Sequence, residues 1–167
     1  MWGDLNGDGH LDLWVANCFN SPSEIWINDP TGSGTFTRAT TTLPFAYSGA
    51  MADVNGDGHL DLFVCSDDPD ESFNPGLYLN NAISFTAVAA NAAGGISKTT
   101  CVAWADVNGD GALDLFVGNK GLTTQTSIPN ELWMNEGSGT FHAVNSGPAT
   151  SVKVTYACAF GDANGDG

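Results

Sequence analysis

Three nine-residue strings hold most of the side chains able to do chemistry: DLNGDGHLD at 4–12, DVNGDGHLD at 53–61 and DVNGDGALD at 106–114. A shorter copy, DANGDG, runs from 162 to 167. In the first string Asp4, Asn6, Asp8 and Asp12 stand at positions 1, 3, 5 and 9, and His10 at position 7 can offer its main-chain carbonyl. Alternate oxygen donors leaving one tight turn are what a hard cation such as Ca²⁺ requires. Gly9 allows the sharp turn at position 6 and Gly7 adds freedom two residues earlier. Three carboxylates held within a few ångströms repel one another, and a divalent cation relieves that repulsion. Mg²⁺ suits the pattern less well, because it takes fewer protein ligands and keeps water. Asn-Gly and Asp-Gly also make ordinary hairpin turns, but such a turn does not need Asp at positions 1, 5 and 9 in every complete copy.

The same reading gives Asp53, Asn55, Asp57, His59 and Asp61 as a second candidate metal set. The third is Asp106, Asn108, Asp110, Ala112 and Asp114, and Asp162, Asn164 and Asp166 begin a fourth that stops before position 9. Ala112 replaces the histidine of the other copies, so position 7 contributes a carbonyl and not a ring. These are not EF-hands. Position 12, where a bidentate Glu belongs, is Val15, Val64 or Val117, and the flanks have strand character.

The loops need strands to hold them. A second element follows each loop, EIWIND at 24–29, GLYLNN at 76–81 and ELWMNE at 131–136. Each leads through a turn to a phenylalanine: Phe36, Phe85 and Phe141. A unit of about 50 residues built from short segments indicates a solenoid or propeller. Each unit reads as four strands. The first is small-residue-rich (SGAMA 48–52, CVAWA 101–105, YACAFG 156–161), and the second alternates apolar and polar positions, as in Leu11, Leu13 and Val15. The third is the IWIN-type element, and the fourth is TFTRA 35–39, SFTAV 84–88 or TFHAV 140–144. The expected fold is all-β: a β-propeller fragment of about three four-stranded antiparallel blades with cation-binding hairpin loops. The expected boundaries are 1–44, with its first strand truncated, 45–97 and 98–150 for the blades, with 151–167 giving the first strand and partial loop of a fourth. Three blades do not close a ring, and about seven would need roughly 350 residues. The chain is therefore expected to be part of a longer propeller that supplies the remaining blades.

Composition narrows the partners. Among 167 residues, 19 Asp and Glu face 4 Lys and Arg, a formal charge of −15. Such a surface repels phosphate backbones and anionic lipid, which argues against nucleic-acid and membrane-surface binding. No apolar run approaches a membrane span. No Ser-His-Asp arrangement or phosphate loop is present, and the paired carboxylates are those of the metal loops, so no enzyme activity is expected. Cys18, Cys65, Cys101 and Cys158 lack CxxC spacing, and their pairing is open. The acidic run Asp67, Asp68, Asp70 and Glu71 reads as a solvated loop. Trp2, Trp14, Trp26, Trp104 and Trp133 read chiefly as packing between blades.

DVNGDGHLDLFV followed by LYLNN and a turn to Phe resembles the FG-GAP/VCBS repeats of integrin α-type propellers and of the cartilage acidic protein (ASPIC/UnbV-like) group. The resemblance covers essentially the whole chain. The literal Phe-Gly pair occurs once, at Phe160-Gly161. The resemblance implies Ca²⁺ in the hairpin between first and second strands, on the residues named above. It also implies an extracellular, secreted or cell-surface scaffold for a protein or glycan ligand. Carbohydrate-binding propellers, and non-catalytic propellers of polysaccharide-degrading enzymes, are the alternatives. Strand parity puts the metal loops and the Gly-rich turns at one end of the blades. The segments that differ most between copies, 17–23, 66–75 and 118–130 and the links 38–47, 89–99 and 145–154, then lie at the other, where binding usually resides.

Overall fold

A computed structural model describes residues 1–18, 21–41, 43–66, 76–88, 98–120, 128–150 and 154–162. Among these residues twelve strands form three separate antiparallel sheets of four. Blade 1 contains β1 (Trp2–Gly3), β2 (Asp12–Val15), β3 (Glu24–Asn28) and β4 (Phe36–Arg38). Blade 2 contains β5 (Ser48–Ala52), β6 (Asp61–Cys65), β7 (Gly76–Asn81) and β8 (Ser84–Ala87). Blade 3 contains β9 (Thr99–Ala105), β10 (Asp114–Asn119), β11 (Glu131–Asn135) and β12 (Phe141–Val144). Strands follow one another in chain order within every sheet, the up-and-down meander of a propeller blade. The sequence reading left blade 1 without a first strand; a two-residue β1 is in place, with Trp2 opposite Leu13 and Gly3 opposite Asp12. Among the described residues the one helical turn is a short 3₁₀ segment, Gly147–Thr150, and no helix is long and apolar enough to cross a membrane.

Two apolar seams carry the core. Between blades 1 and 2, Leu5, Trp14 and Ile25 from one side meet Leu62 and Val64 from the other, all buried. Between blades 2 and 3, Val54, Phe63 and Leu77 meet Leu115, Val117 and Phe141. These sets hold equivalent places in successive units, so the chain makes the same interface twice. Small residues in the first strands let the sheets approach. A Cβ on Gly49 would run into the Phe63 carbonyl oxygen and come within 2.9 Å of the Trp14 ring. The segment 154–162, expected as a fourth-blade strand, forms no ladder but lies against blade 3. Thr155 N–H donates to the Asn119 carbonyl at 3.0 Å, and Phe160 meets Phe116 edge-on at 6.4 Å. All four cysteines are free thiols. Burial pushes the Cys65 thiol up to about 12, and Cys158 likewise.

Candidate metal centre

Each candidate loop closes around its first aspartate. Asp4 accepts main-chain N–H groups from Gly7 at 2.8 Å, Asp8 at 3.2 Å and Gly9 at 2.8 Å. Asp53 does the same with Gly56, Asp57 and Gly58, and Asp106 with Gly109, Asp110 and Gly111. Three donors on one carboxylate require a backbone curled past ordinary turn geometry. The two glycines supply it with φ near 77° and 85° in the first loop and similar values in the others, a region costly for residues with a Cβ.

The side chains at positions 3 and 5 form a second layer. Asn6 Nδ2 donates to Asp8 Oδ2 at 2.9 Å while Asn6 Oδ1 accepts Asp8 N–H at 3.0 Å. Asp8 Oδ1 accepts the His10 N–H at 2.9 Å. Asn55 and Asp57, then Asn108 and Asp110, repeat the arrangement, with His59 and Ala112 donating at position 7. The hydrogen bond from Asn6 and the His10 N–H hold the Asp8 carboxyl below the usual carboxylate range. The His59 N–H and Asn55 amide lower Asp57, and main-chain donors led by Gly111 lower Asp106. These groups are therefore negatively charged at neutral pH and near solvent.

Position 9 stands apart. Asp12, Asp61 and Asp114 are fully buried beneath their loops. Asp61 Oδ2 accepts Val54 N–H at 3.0 Å and Oδ1 accepts Asn80 N–H at 2.8 Å. Asp12 binds Leu5 and Asn28 N–H in the same way, and Asp114 binds Val107 and Asn135 N–H. The carboxylate thus ties the loop to the end of the third strand. Desolvation raises the Asp61 pKa against these favourable hydrogen bonds.

The loops bring Asp4, Asn6 and Asp8 together at the exposed mouth, and likewise Asp53, Asn55 and Asp57, and Asp106, Asn108 and Asp110. The position-9 carboxylates lie below with both oxygens engaged by main-chain N–H. Among the described residues no three carboxylate, imidazole or thiol groups converge into a ready-made cage. The donors are nonetheless all oxygens and the charge is negative; Oδ1 of each first aspartate accepts two N–H groups, but its Oδ2 and both oxygens of the position-9 aspartates accept one each and keep a lone pair, so the set suits a hard cation in chemistry. Asp162 belongs to the described chain, whereas Asn164 and Asp166, and the run Asp67, Asp68, Asp70 and Glu71, lie outside the described residues.

One set of residues was not singled out from the sequence. Asn80 Nδ2 donates across the seam to the Leu5 carbonyl at 2.8 Å and within its blade to the Leu60 carbonyl at 3.1 Å. Asn135 Nδ2 repeats this with Val54 at 2.8 Å and Leu113 at 3.2 Å. Their Oδ1 atoms accept Ile83 and Gly137 N–H. Each asparagine therefore joins its own loop to the loop of the blade before it. The signal was available: it is the invariant Asn that closes IWIN, LYLN and LWMN.

The FG-GAP-like repeat family matches residues 4–64 and again 53–117. This chain belongs to the FG-GAP-like repeat family. Both matches begin at the first aspartate of a loop and run to the second strand of the following blade. Each matched span therefore holds two loops, the second to fourth strands of one blade, the first two strands of the next and the seam between them. No curated protein matches the chain.

Proposed function

We propose that these FG-GAP-like repeats bind Ca²⁺ in their hairpin loops and act as a rigid extracellular scaffold for a protein or glycan ligand. The observation that carries the reading is the common bonding scheme of the three loops. Each curls over two left-handed glycines and presents Asp, Asn and Asp oxygens at its mouth. Asp4, Asn6, Asp8, the His10 carbonyl and Asp12 would hold the ion in the first loop, with the equivalent residues in the other two. A bound divalent cation supplies charge neutralisation that the main-chain N–H groups give only in part. The loops join neighbouring strands of one sheet and have no helix pair to open, so the role is structural and not that of a sensor. Without a bidentate Glu at position 12, affinity is expected in the extracellular range, roughly 10⁻⁴ to 10⁻³ M.

Thermal melts with Ca²⁺ and with chelator test this. Binding to the folded state alone stabilises by about 2.7 kcal/mol per site at a hundredfold excess over Kd, or roughly 5–10 °C for a chain of this size. Superimposable melts refute it.

A further inference from the structure

We infer that Cys101 and Cys158 form a disulfide under oxidising conditions, and that the bond fastens the segment 154–162 to blade 3. The backbone brings the two residues together. Thr155 N–H donates to the Asn119 carbonyl at 3.0 Å. Thr100 Oγ1 donates to the Thr155 carbonyl and, at 3.0 Å, to the Gly118 carbonyl. Residue 155 is thereby held beside the start of β9 and the end of β10. Ala46 bonds Asn17 and Lys98 bonds Ser66 in the same manner where blades 2 and 3 begin, so this placement is the repeat's own way of starting a unit.

The side chains complete the approach. Cys101 stands opposite Gly118 in the β9–β10 ladder. A Cβ on Gly118 would lie 2.4 Å from the Cys101 Sγ and 2.9 Å from the Thr155 Cγ2. Blade 2 has Cys65, opposite Ser48, at the place of Gly118, so the missing side chain gives the Cys101 sulfur room to lie over β10 beside Thr155. There the Cys158 thiol donates a hydrogen bond to it. A sulfur–sulfur bond of about 2 Å is a small side-chain movement away. The pair is particular to this junction. Cys101 stands five residues before the loop aspartate Asp106, and Cys158 four before Asp162; at the preceding junction those places hold Ser48 and Val102. The common packing of the units therefore accounts for neither thiol. Cys65 is near both, but its sulfur is engaged by the Thr99 side chain, and Cys18 lies beyond β2 in blade 1.

The oxidant is a small-molecule disulfide such as oxidised glutathione. One protein thiolate attacks it, forming a mixed disulfide and releasing one small thiol. The second protein thiolate attacks the protein sulfur of that mixed disulfide and releases the other. The two cysteines together lose two electrons and two protons, and the small disulfide gains them. Burial suppresses the Cys158 thiolate in the folded chain, so the exchange runs during folding, before the pair is covered. The bond closes the whole of blade 3 into a loop, which restricts the unfolded chain and stabilises the folded one.

Refolding tests this on the 167-residue chain. Reduced, denatured protein is refolded in a buffer of reduced and oxidised glutathione, quenched in acid and digested with pepsin. Wild type should keep two of its four thiols and yield one linked peptide pair, containing Cys101 and Cys158. Cys101→Ser and Cys158→Ser should each lose the link, and Cys18→Ser should keep it; the wild-type map decides alone where a variant does not fold. Oxidised wild type should melt roughly 5–15 °C above the reduced form, and Cys158→Ser should show no such difference between the two buffers. The glutathione supplies the oxidant whatever compartment the protein occupies, so the test stands apart from the calcium reading. Four free thiols after refolding would overturn the inference, as would a link through Cys65 or Cys18, links between chains, or identical melts for oxidised and reduced wild type.

Discussion

Replacing Asp61 by alanine in the absence of a cation isolates the architectural part played by the position-9 aspartate. Its two oxygens accept the N–H groups of Val54 and Asn80, and the site is fully buried. Alanine leaves both donors without a partner, at about 1–3 kcal/mol each, or roughly 2–6 kcal/mol together. A domain of this kind has only about 5–15 kcal/mol in all. Asp57, by contrast, is exposed and bonds His59 N–H and the Asn55 amide in water's reach. Its loss without a cation should cost about 1 kcal/mol or less. Urea titrations in chelator compare the two. With a slope of about 1–3 kcal/mol per molar, Asp61→Ala should lower the midpoint by about 1–3 M and Asp57→Ala by a few tenths. Asp61→Asn, which keeps one acceptor oxygen, should fall between. Equal midpoint losses for Asp61→Ala and Asp57→Ala in chelator would refute the assignment of position 9 as the anchor between loop and third strand.

With Ca²⁺ added, calorimetric titration of Asp57→Ala should show the second site lost, while His59→Ala, which retains its carbonyl, should titrate as wild type. Gly49→Ala should destabilise by about 1–3 kcal/mol or more, because the new methyl meets the Phe63 carbonyl and the Trp14 ring; an unchanged urea midpoint would contradict the close approach. Burial raises the Glu131 pKa against the hydrogen bonds it receives from Trp133 and Asn119. The folded chain therefore holds this proton more tightly than the unfolded one, so the Glu131 term favours folding as pH falls from above the raised folded value towards the unfolded value near 4.3. The stability of wild type relative to Glu131→Gln, measured in urea at pH 7 and pH 5, should shift towards wild type at the lower pH. With their thiols pushed up to about 12, Cys65 and Cys158 should react with a disulfide reagent at pH 8 far more slowly in the folded chain than in denaturant.

Most of the architecture was legible because the unit repeats. Period-two alternation in LDLFV and the turn before each Phe mark β6, β10 and their neighbours within a residue or two, and the three sheets follow. The first strand of blade 1 was missed because two residues, Trp2 and Gly3, carry no alternation; only the pairing with Leu13 and Asp12 reveals them. The loops were legible as oxygen-rich turns, but the division of labour among their aspartates was not. Spacing cannot tell an exposed Asp57 from a buried Asp61, since the difference lies in the main-chain donors folded over each. Asn80 and Asn135 escaped notice for a related reason. Their partners, Leu5 and Val54, lie in another blade, and sequence periodicity reports faces within a strand and not bonds across a seam.

Because both seams use the same knobs and the same asparagine, the blades are interchangeable parts. Excising residues 53–105 joins Ala52 directly to Asp106 and sets blade 3 against blade 1. Leu115, Val117 and Phe141 then take the places of Leu62, Val64 and Phe85, with Trp133 in place of Tyr78, and Asn135 comes to the Leu5 carbonyl. Nearly every substituted contact is like for like, so the shortened chain creates no new kind of interface. Loss of a whole unit thus preserves the kind of seam that remains, whereas the loss of a few residues within a unit would shift a strand out of register. Because that seam fixes the angle between neighbouring blades, closure of a ring sets how many of them there can be.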